Sequence, residues 1–271
     1  MTTVPPSTHI AWSTDPHLDF LGEKGIVAFA ESIAEMNPAG LIITGDIANA
    51  PTLEKSLLLL ANGFARPIYL VLGNHDFYFG SFDEVNAAVA EICSRLPACH
   101  RLGMGEAFPL SARTGLVGCD GWGDGRAGLG MRSEVLLNDF LLIKDLTDLT
   151  VQERFSRLAQ LGDASAGYLR SVLPRALKEF EQVIVATHVP PFPEASWHDG
   201  KMSDPEWLPH FTCVAAGNAL REVVADFPSS EVVVLCGHTH GEGKAVIDER
   251  IEVHTGAAEY GRPRVNAVLD V

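Results

Sequence analysis

Short apolar runs that end in turn residues alternate along this chain with longer stretches whose apolar residues fall at helical spacing. This is the pattern expected of βαβ units and a largely parallel sheet. The run HIAWS reads as a first strand. From Gly25 to Met36, Ile26, Phe29, Ala30 and Ile33 share one helical face, and Asn37-Pro38 stops that helix before a strand at LIITG. A second helix is expected from about Leu53 to Phe64, and Pro67 precedes the strand IYLVL. In SFDEVNAAVAEICSRL, Ser81 followed by Glu84 is a capping-box signature. Three βα units therefore fill the first hundred residues.

Turn residues between short runs in AFPLSARTGLVGCDGW, about residues 106–122, suggest a strand pair or meander. From Ser133 to Phe180 the pattern is helical, with breaks near Gly162 and Pro174, and suits a segment covering a sheet face. The strand QVIVAT, a proline-rich loop from Val189 to Pro209, a helix near Ala215 to Phe227 and the strand EVVVLC follow. KAVID, IEVHT and RVNAVLDV read as closing strands, the first two paired through a turn at Asp248 to Arg250. One domain over residues 1–271 is expected, with a helical covering segment near 132–180 and a long loop near 189–210.

Composition narrows the class. Hydrophobic content of 46% and charged content of 20% are ordinary for a folded soluble protein, and no stretch is long and apolar enough to cross a bilayer. The first residues, MTTVPPSTHIAW, lack a basic start and a continuous apolar segment, so a cytoplasmic protein without membrane contact is expected. Cys93, Cys99, Cys119, Cys213 and Cys236 lack metal-finger spacing and read as reduced thiols. The formal charge of −15 disfavours extended nucleic acid, whose binding depends on lysine and arginine neutralising phosphates. A small anion remains compatible where metal supplies the positive charge.

The residues that end the apolar runs share one chemistry. Asp15 and His17 follow the first strand, Asp46 the second, Asn74 and His75 the third, His188 follows QVIVAT, and His238 and His240 follow EVVVLC. Ligands of open α/β sheets gather at these carboxyl ends. Residues one apart, as in Asp15-x-His17 and His238-x-His240, face one side in extended chain. Gly45, Gly73 and Gly237 precede the polar residues, where a missing Cβ allows a sharp turn and close approach to an ion. Imidazole and carboxylate without thiolate favour transition metals over Mg²⁺ or Ca²⁺. A carboxylate can bridge two cations, and two cations about 3.5–4 Å apart clamp the attacking and leaving oxygens of an in-line displacement.

DPH, GD, GNHD, the histidine of ATHVP, and GHTH, in this order from Asp15 to His240, resemble the calcineurin-like metallophosphoesterases. The resemblance implies an α/β four-layer αββα sandwich of two mixed sheets flanked by helices. It implies two divalent or trivalent transition metal ions, Mn²⁺, Fe²⁺/Fe³⁺ or Zn²⁺. Asp15, His17, Asp46 and His240 would hold one ion, and Asp46, Asn74, His188 and His238 the other. Asp46 would bridge them together with an attacking hydroxide. His75 would face the leaving oxygen, where it donates a proton or stabilises charge, and Asp76 would give local support.

One branch of that family continues its GD motif as GDxxDRG, whereas this chain reads GDIANAP. Asn49 stands where an aspartate would orient the catalytic histidine, and could still accept a hydrogen bond from it. The missing arginine weakens the case for a protein phosphatase. A small phosphodiester or nucleotide-like ester is the expected substrate, with Asn74, His75, Arg126, Trp197 and Lys201 as candidate contacts and Arg132 as a further cation. The aromatics Phe192, Trp197, Trp207 and Phe211 could form a pocket wall or pack against the helical segment. A phosphomonoesterase or phosphoprotein phosphatase, a nuclease for short ends and a catalytically silent scaffold stay open as alternatives, as does an oligomer. His9, His100, His198, His210 and His254 read as structural.

Overall fold

The computed structural model describes residues 8–105 and 107–271. Its first half alternates strand and helix: β1 (His9–Ser13), α1 (Glu23–Glu35), β2 (Gly40–Thr44), α2 (Ala50–Phe64), β3 (Ile68–Val71), α3 (Phe82–Arg95) and β4 (Cys99–Arg101). A short antiparallel pair follows, β5 (Phe108–Pro109) and β6 (Thr114–Cys119). The chain then forms a one-turn helix α4 (Asp139–Leu142), the long α5 (Val151–Glu179) and β7 (Gln182–Thr187). A small hairpin, β8 (Trp197–His198) and β9 (Lys201–Met202), precedes α6 (Leu208–Phe211) and α7 (Val214–Ala225). The closing strands are β10 (Glu231–Cys236), β11 (Gly243–Ile247), β12 (Ile251–Thr255) and β13 (Ala267–Asp270).

These strands form two large sheets, one ordered β13-β1-β2-β3-β4 and the other β11-β12-β10-β7-β6-β5. Parallel pairing links β1 to β4 and β6 to β12 through the sheet centres, as βα crossovers require, while β13, β11 and β5 add antiparallel edges. The sheets are therefore two and mixed, as the family resemblance implies, and the parallel pattern read along the chain holds for their central strands. Edge strands arriving by a hairpin or from the C-terminal tail can run antiparallel.

Strand alternation separates the layers. Ala11, Leu41, Ile43 and Leu70 pack beneath Ile26, Ile33, Leu57 and Val85 of the first three helices. The intervening residues Ile10, Trp12, Ile42 and Val71 face Leu116, Ile184, Ala186 and Leu235 of the other sheet. That sheet turns Val117, Val183, Val185 and Val234 towards Leu169, Val172, Leu220 and Val224 of α5 and α7. Apolar residues on both faces of each central strand thus produce an αββα sandwich.

Several local expectations change. Gly162 and Pro174 do not break α5, which runs unbroken and opens with a second capping box, Thr150 with Glu153. Its buried face, from Phe155 through Leu169 to Leu177, continues across Pro174, so packing outweighs the hydrogen bond that proline removes. Residues 133–150, expected to be helical, hold only short turns around α4. Strand β4 was not expected, and the 189–210 loop contains β8, β9 and the start of α6. No helix among the described residues is long and apolar enough to cross a membrane. The reading of the chain start falls partly on residues 1–7, which lie outside the described residues.

Candidate metal centre

The carboxyl ends of β1, β2 and β3 meet those of β7 and β10 where the two sheets abut, and the polar residues picked from the sequence follow these five strands. Backbone bonds lace the loops together: Asp15 N–H donates to Gly45 O, His17 N–H to Asp46 O and Gly237 N–H to His188 O. Asp15, His17, Asp46, His238 and His240 all have left-handed backbones, with φ between 41° and 69°. Such a conformation costs a residue with a Cβ about 1–2 kcal/mol, so the fold spends stability to aim these side chains inward. Two glycines make room. A Cβ on Gly73 would lie 2.1 Å from Asp46 Oδ1, and one on Gly237 would lie 1.9 Å from Thr14 Oγ1 and 2.0 Å from Asp15 Oδ2.

In the first cluster, Asp15, His17, Asp46 and His240 each place a donor atom within 4.8 Å of all the others. His17 Nε2 is 3.1 Å from His240 Nε2 and 3.8 Å from Asp46 Oδ2, and His240 Nε2 is 3.5 Å from Asp15 Oδ1. Asp15 is steadied by the His238 amide, 3.0 Å from Oδ1 and 3.1 Å from Oδ2.

The second cluster is decided by proton placement. His188 Nδ1 lies 2.9 Å from the Thr44 carbonyl, which can only accept, so Nδ1 carries the proton and Nε2 is left with a lone pair. His238 Nε2 lies 3.2 Å from the His210 carbonyl, so its Nδ1 is likewise bare. Asn74 Nδ2 donates to Asp139 at 2.7 Å, which fixes its carbonyl oxygen on the opposite side. The three bare atoms converge: Asn74 Oδ1 is 3.0 Å from both His188 Nε2 and His238 Nδ1, which are 3.1 Å apart. Three acceptors with no proton among them repel unless a cation lies between them. Asp46 Oδ1 stands 3.4 Å from His188 Nε2, so the two oxygens of Asp46 face different clusters.

Electrostatics agree. Burial holds His17 and His75 down at about 3 and lowers His188 and His238, so these rings are neutral with lone pairs to share. Burial, with Asp15 and Asp76 nearby, pushes Asp46 well up. At Asp15 burial acts upward, but the His240 hydrogen bond and surrounding imidazoles hold its carboxyl below the usual range. The cleft above, of about 220 Å³, is lined by Asp46, Asn74, His75, Asp139, His238 and His240, and no lysine or arginine joins them. Buried carboxylates without a cationic side chain call for a metal. The donor set fits one or two transition metal ions.

Around this centre the structure corrects several expected contacts. Arg126 is held by Asp124 at 2.9 Å and Asp163 at 2.7 Å, and does not line the cleft. Lys201 is exposed on β9, and Trp197 packs its indole over Gly243, so neither lines the cleft, whereas the neighbouring His198 does. Asn49 donates to Asp19 at 3.1 Å and accepts from Thr52 at 2.7 Å at the start of α2, so its amide is engaged away from His75. Asp76 accepts from the amides of Ile47, Ala48 and Gly73, pinning the loops that carry Asp46 and Asn74. Of the expected aromatics, Phe211 lines the cleft with Trp207 against it at 5.2 Å, while Phe192 is buried in the core.

Sequence reasoning passed over Tyr78, Asp139 and Tyr260, while of the histidines read as structural His198 lines the cleft and His210 offers its carbonyl to His238. Tyr78 stacks on His75 with ring centroids 4.2 Å apart, and Tyr260 lies 4.4 Å from His17. Asp139 had a visible signal, a carboxylate inside the apolar run VLLNDFLLI. The others follow no motif.

The sequence profile described as Calcineurin-like phosphoesterase matches residues 8–242. No curated protein matches the chain by sequence. Among solved structures, a phosphopantetheinyl hydrolase from Mycobacterium tuberculosis is similar at 16% identity and a TM-score of 0.66, over 95% of this chain and 91% of that one. A dimetal phosphatase from Danio rerio is similar at 14% identity and a TM-score of 0.56, over 93% and 88%. These likenesses support the sandwich architecture, and the profile, which spans most of the chain, sets its kinship: the protein belongs to the calcineurin-like phosphoesterase family.

Proposed function

We propose that the protein, acting as a single domain, is a dinuclear metal-dependent phosphoesterase that hydrolyses a small phosphodiester or nucleotide-like phosphate ester. The observation that carries this reading is the convergence of three bare acceptor atoms beside a second cluster of two carboxylates and two imidazoles, with Asp46 between them turning one oxygen to each. Asp15, His17, Asp46 and His240 would hold one ion, and Asp46, Asn74, His188 and His238 the other. When bound, such a pair supplies Lewis-acid charge and an acidified water as nucleophile. The seven ligands, five of them on strained backbone, fix the geometry before substrate arrives. His75, ring-stacked on Tyr78 and with Nε2 3.9 Å from Asp46 Oδ2, faces the cleft. There it would donate a proton to the leaving oxygen or stabilise the charge that develops on it.

Absence of lysine and arginine from the cleft supports the diester. A phosphomonoester dianion gains most from an arginine beyond the metals, while a diester monoanion needs less positive charge. The test is metal analysis of the purified protein, followed by hydrolysis of bis-p-nitrophenyl phosphate against p-nitrophenyl phosphate with added Mn²⁺. Two ions per chain and preference for the diester are expected. Preference for the monoester would overturn the substrate class, and a metal-free protein inert to both would overturn the enzyme reading.

A further inference from the structure

The segment between β6 and α5 brings a carboxylate to the candidate centre that no strand-end motif contains. Asp139, at the start of α4, is buried, and its Oδ1 accepts from Asn74 Nδ2 at 2.7 Å and from the Tyr78 hydroxyl at 2.8 Å. Tyr78 is buried as well, and its hydroxyl oxygen lies 3.3 Å from Asn74 Nδ2. An amide side chain has two orientations that exchange its oxygen and nitrogen. With two acceptors on one side, Asn74 is locked with nitrogen towards Asp139 and oxygen towards His188 and His238. Were it to flip, an N–H pair would face the two bare imidazole nitrogens and remove a ligand oxygen from the place where the ion is proposed.

We infer that Asp139 and Tyr78 are positioning residues for the second ion: they hold the Asn74 carbonyl on its ligand side, Asp139 being carried there by the 133–150 segment. Tyr78 has a second task, since its ring supports His75 while its hydroxyl serves Asn74. The lock and the proposed leaving-group donor are thus joined by one side chain. The inference rests on the dinuclear reading and goes beyond it by assigning residues outside the ligand set.

Titration with Mn²⁺ alone, followed by calorimetry and by metal content after dialysis, tests it on the full chain. Wild type should hold two ions. Asp139→Ala should weaken one of them by about 10- to 100-fold, as loss of an outer partner to a ligand commonly does, and match Asn74→Ala in which ion is lost. Asp139→Asn keeps an acceptor for Asn74 without the charge, and should restore both ions. Tyr78→Phe should weaken the same ion to a smaller degree. Circular dichroism and melting of the metal-free variants check folding, and if Asp139→Ala does not fold, Tyr78→Phe and Asp139→Asn still decide. Unchanged second-ion affinity in Asp139→Ala would overturn the lock, as would Asp139→Asn behaving like Asp139→Ala, which would make charge the cause. With the lock overturned in either way, a wild type that still held two ions would leave the dinuclear reading standing. A wild type that held none would remove both.

Discussion

The backbone amide of His75 donates a hydrogen bond to Asp46 Oδ1 at 2.9 Å, so the proposed leaving-group donor and the proposed bridge are fixed to one another. Their side chains nevertheless have different tasks, and mutation should separate them. Asp46→Ala is expected to empty both ion sites, because each cluster includes one of its oxygens. His75→Ala leaves the backbone bond and the ligands in place, so metal content should stay while turnover falls by about 10²- to 10⁴-fold. Metal analysis beside turnover on bis-p-nitrophenyl phosphate measures both, and equal metal loss in the two variants would end the division of roles.

Glycine positions give a second contrast. Gly73→Ala and Gly237→Ala would each drive a methyl group into a proposed ligand carboxylate, at 2.1 Å from Asp46 and 2.0 Å from Asp15. Both variants should bind metal poorly and melt lower than wild type. Gly167→Ala on exposed helix surface meets nothing within 4 Å, and should instead stabilise the protein by about 0.5–1 kcal/mol. Thermal melts of the three variants, with and without Mn²⁺, check the ranking.

Removing metal should cost stability as well as activity. Without cations the centre holds buried Asp15 and Asp46 and three mutually repelling acceptors, none of which has a buried lysine or arginine nearby. Ions that bind only the native state stabilise it by RT ln(1 + [L]/Kd), about 2.7 kcal/mol at a hundredfold excess over Kd. Chelation should therefore lower the melting temperature, and restored Mn²⁺ should raise it in a concentration-dependent way. A melting temperature indifferent to chelator would contradict the placement of cations here.

The ligand candidates were legible because each sits where an apolar run stops, so chemistry and chain position pointed to one place. Most strands were legible for the same reason, HIAWS, QVIVAT and EVVVLC matching β1, β7 and β10 residue for residue. The three-residue β4 has too little apolar pattern to be seen, and nothing local says that β13 returns to pair with β1. Arg126 reads as a substrate contact from the sequence, yet Asp124, two residues earlier, is close enough in sequence to claim it. Asp139 lacked only its destination: a carboxylate among leucines signals a buried partner, but the partner is 65 residues away.

Low pH should act on a histidine outside the ligand set. His210 is buried among Phe140 and Phe155, with Nε2 3.1 Å from the Ser133 hydroxyl, and burial holds its ring at about 4 against an ordinary 6.5. The unfolded chain therefore takes up a proton before the folded one. The neutral ring's contribution to stability is fully present above pH 6.5 and is lost as pH falls towards 4, a total on the order of 3 kcal/mol. His210→Gln does not titrate. Denaturant midpoints of the metal-free wild type and His210→Gln should shift relative to one another in the variant's favour between pH 7.5 and pH 5, while the proposed ligand histidines, common to both proteins, cancel from the difference. A gap that stays constant across this range would show that His210 carries no such linkage.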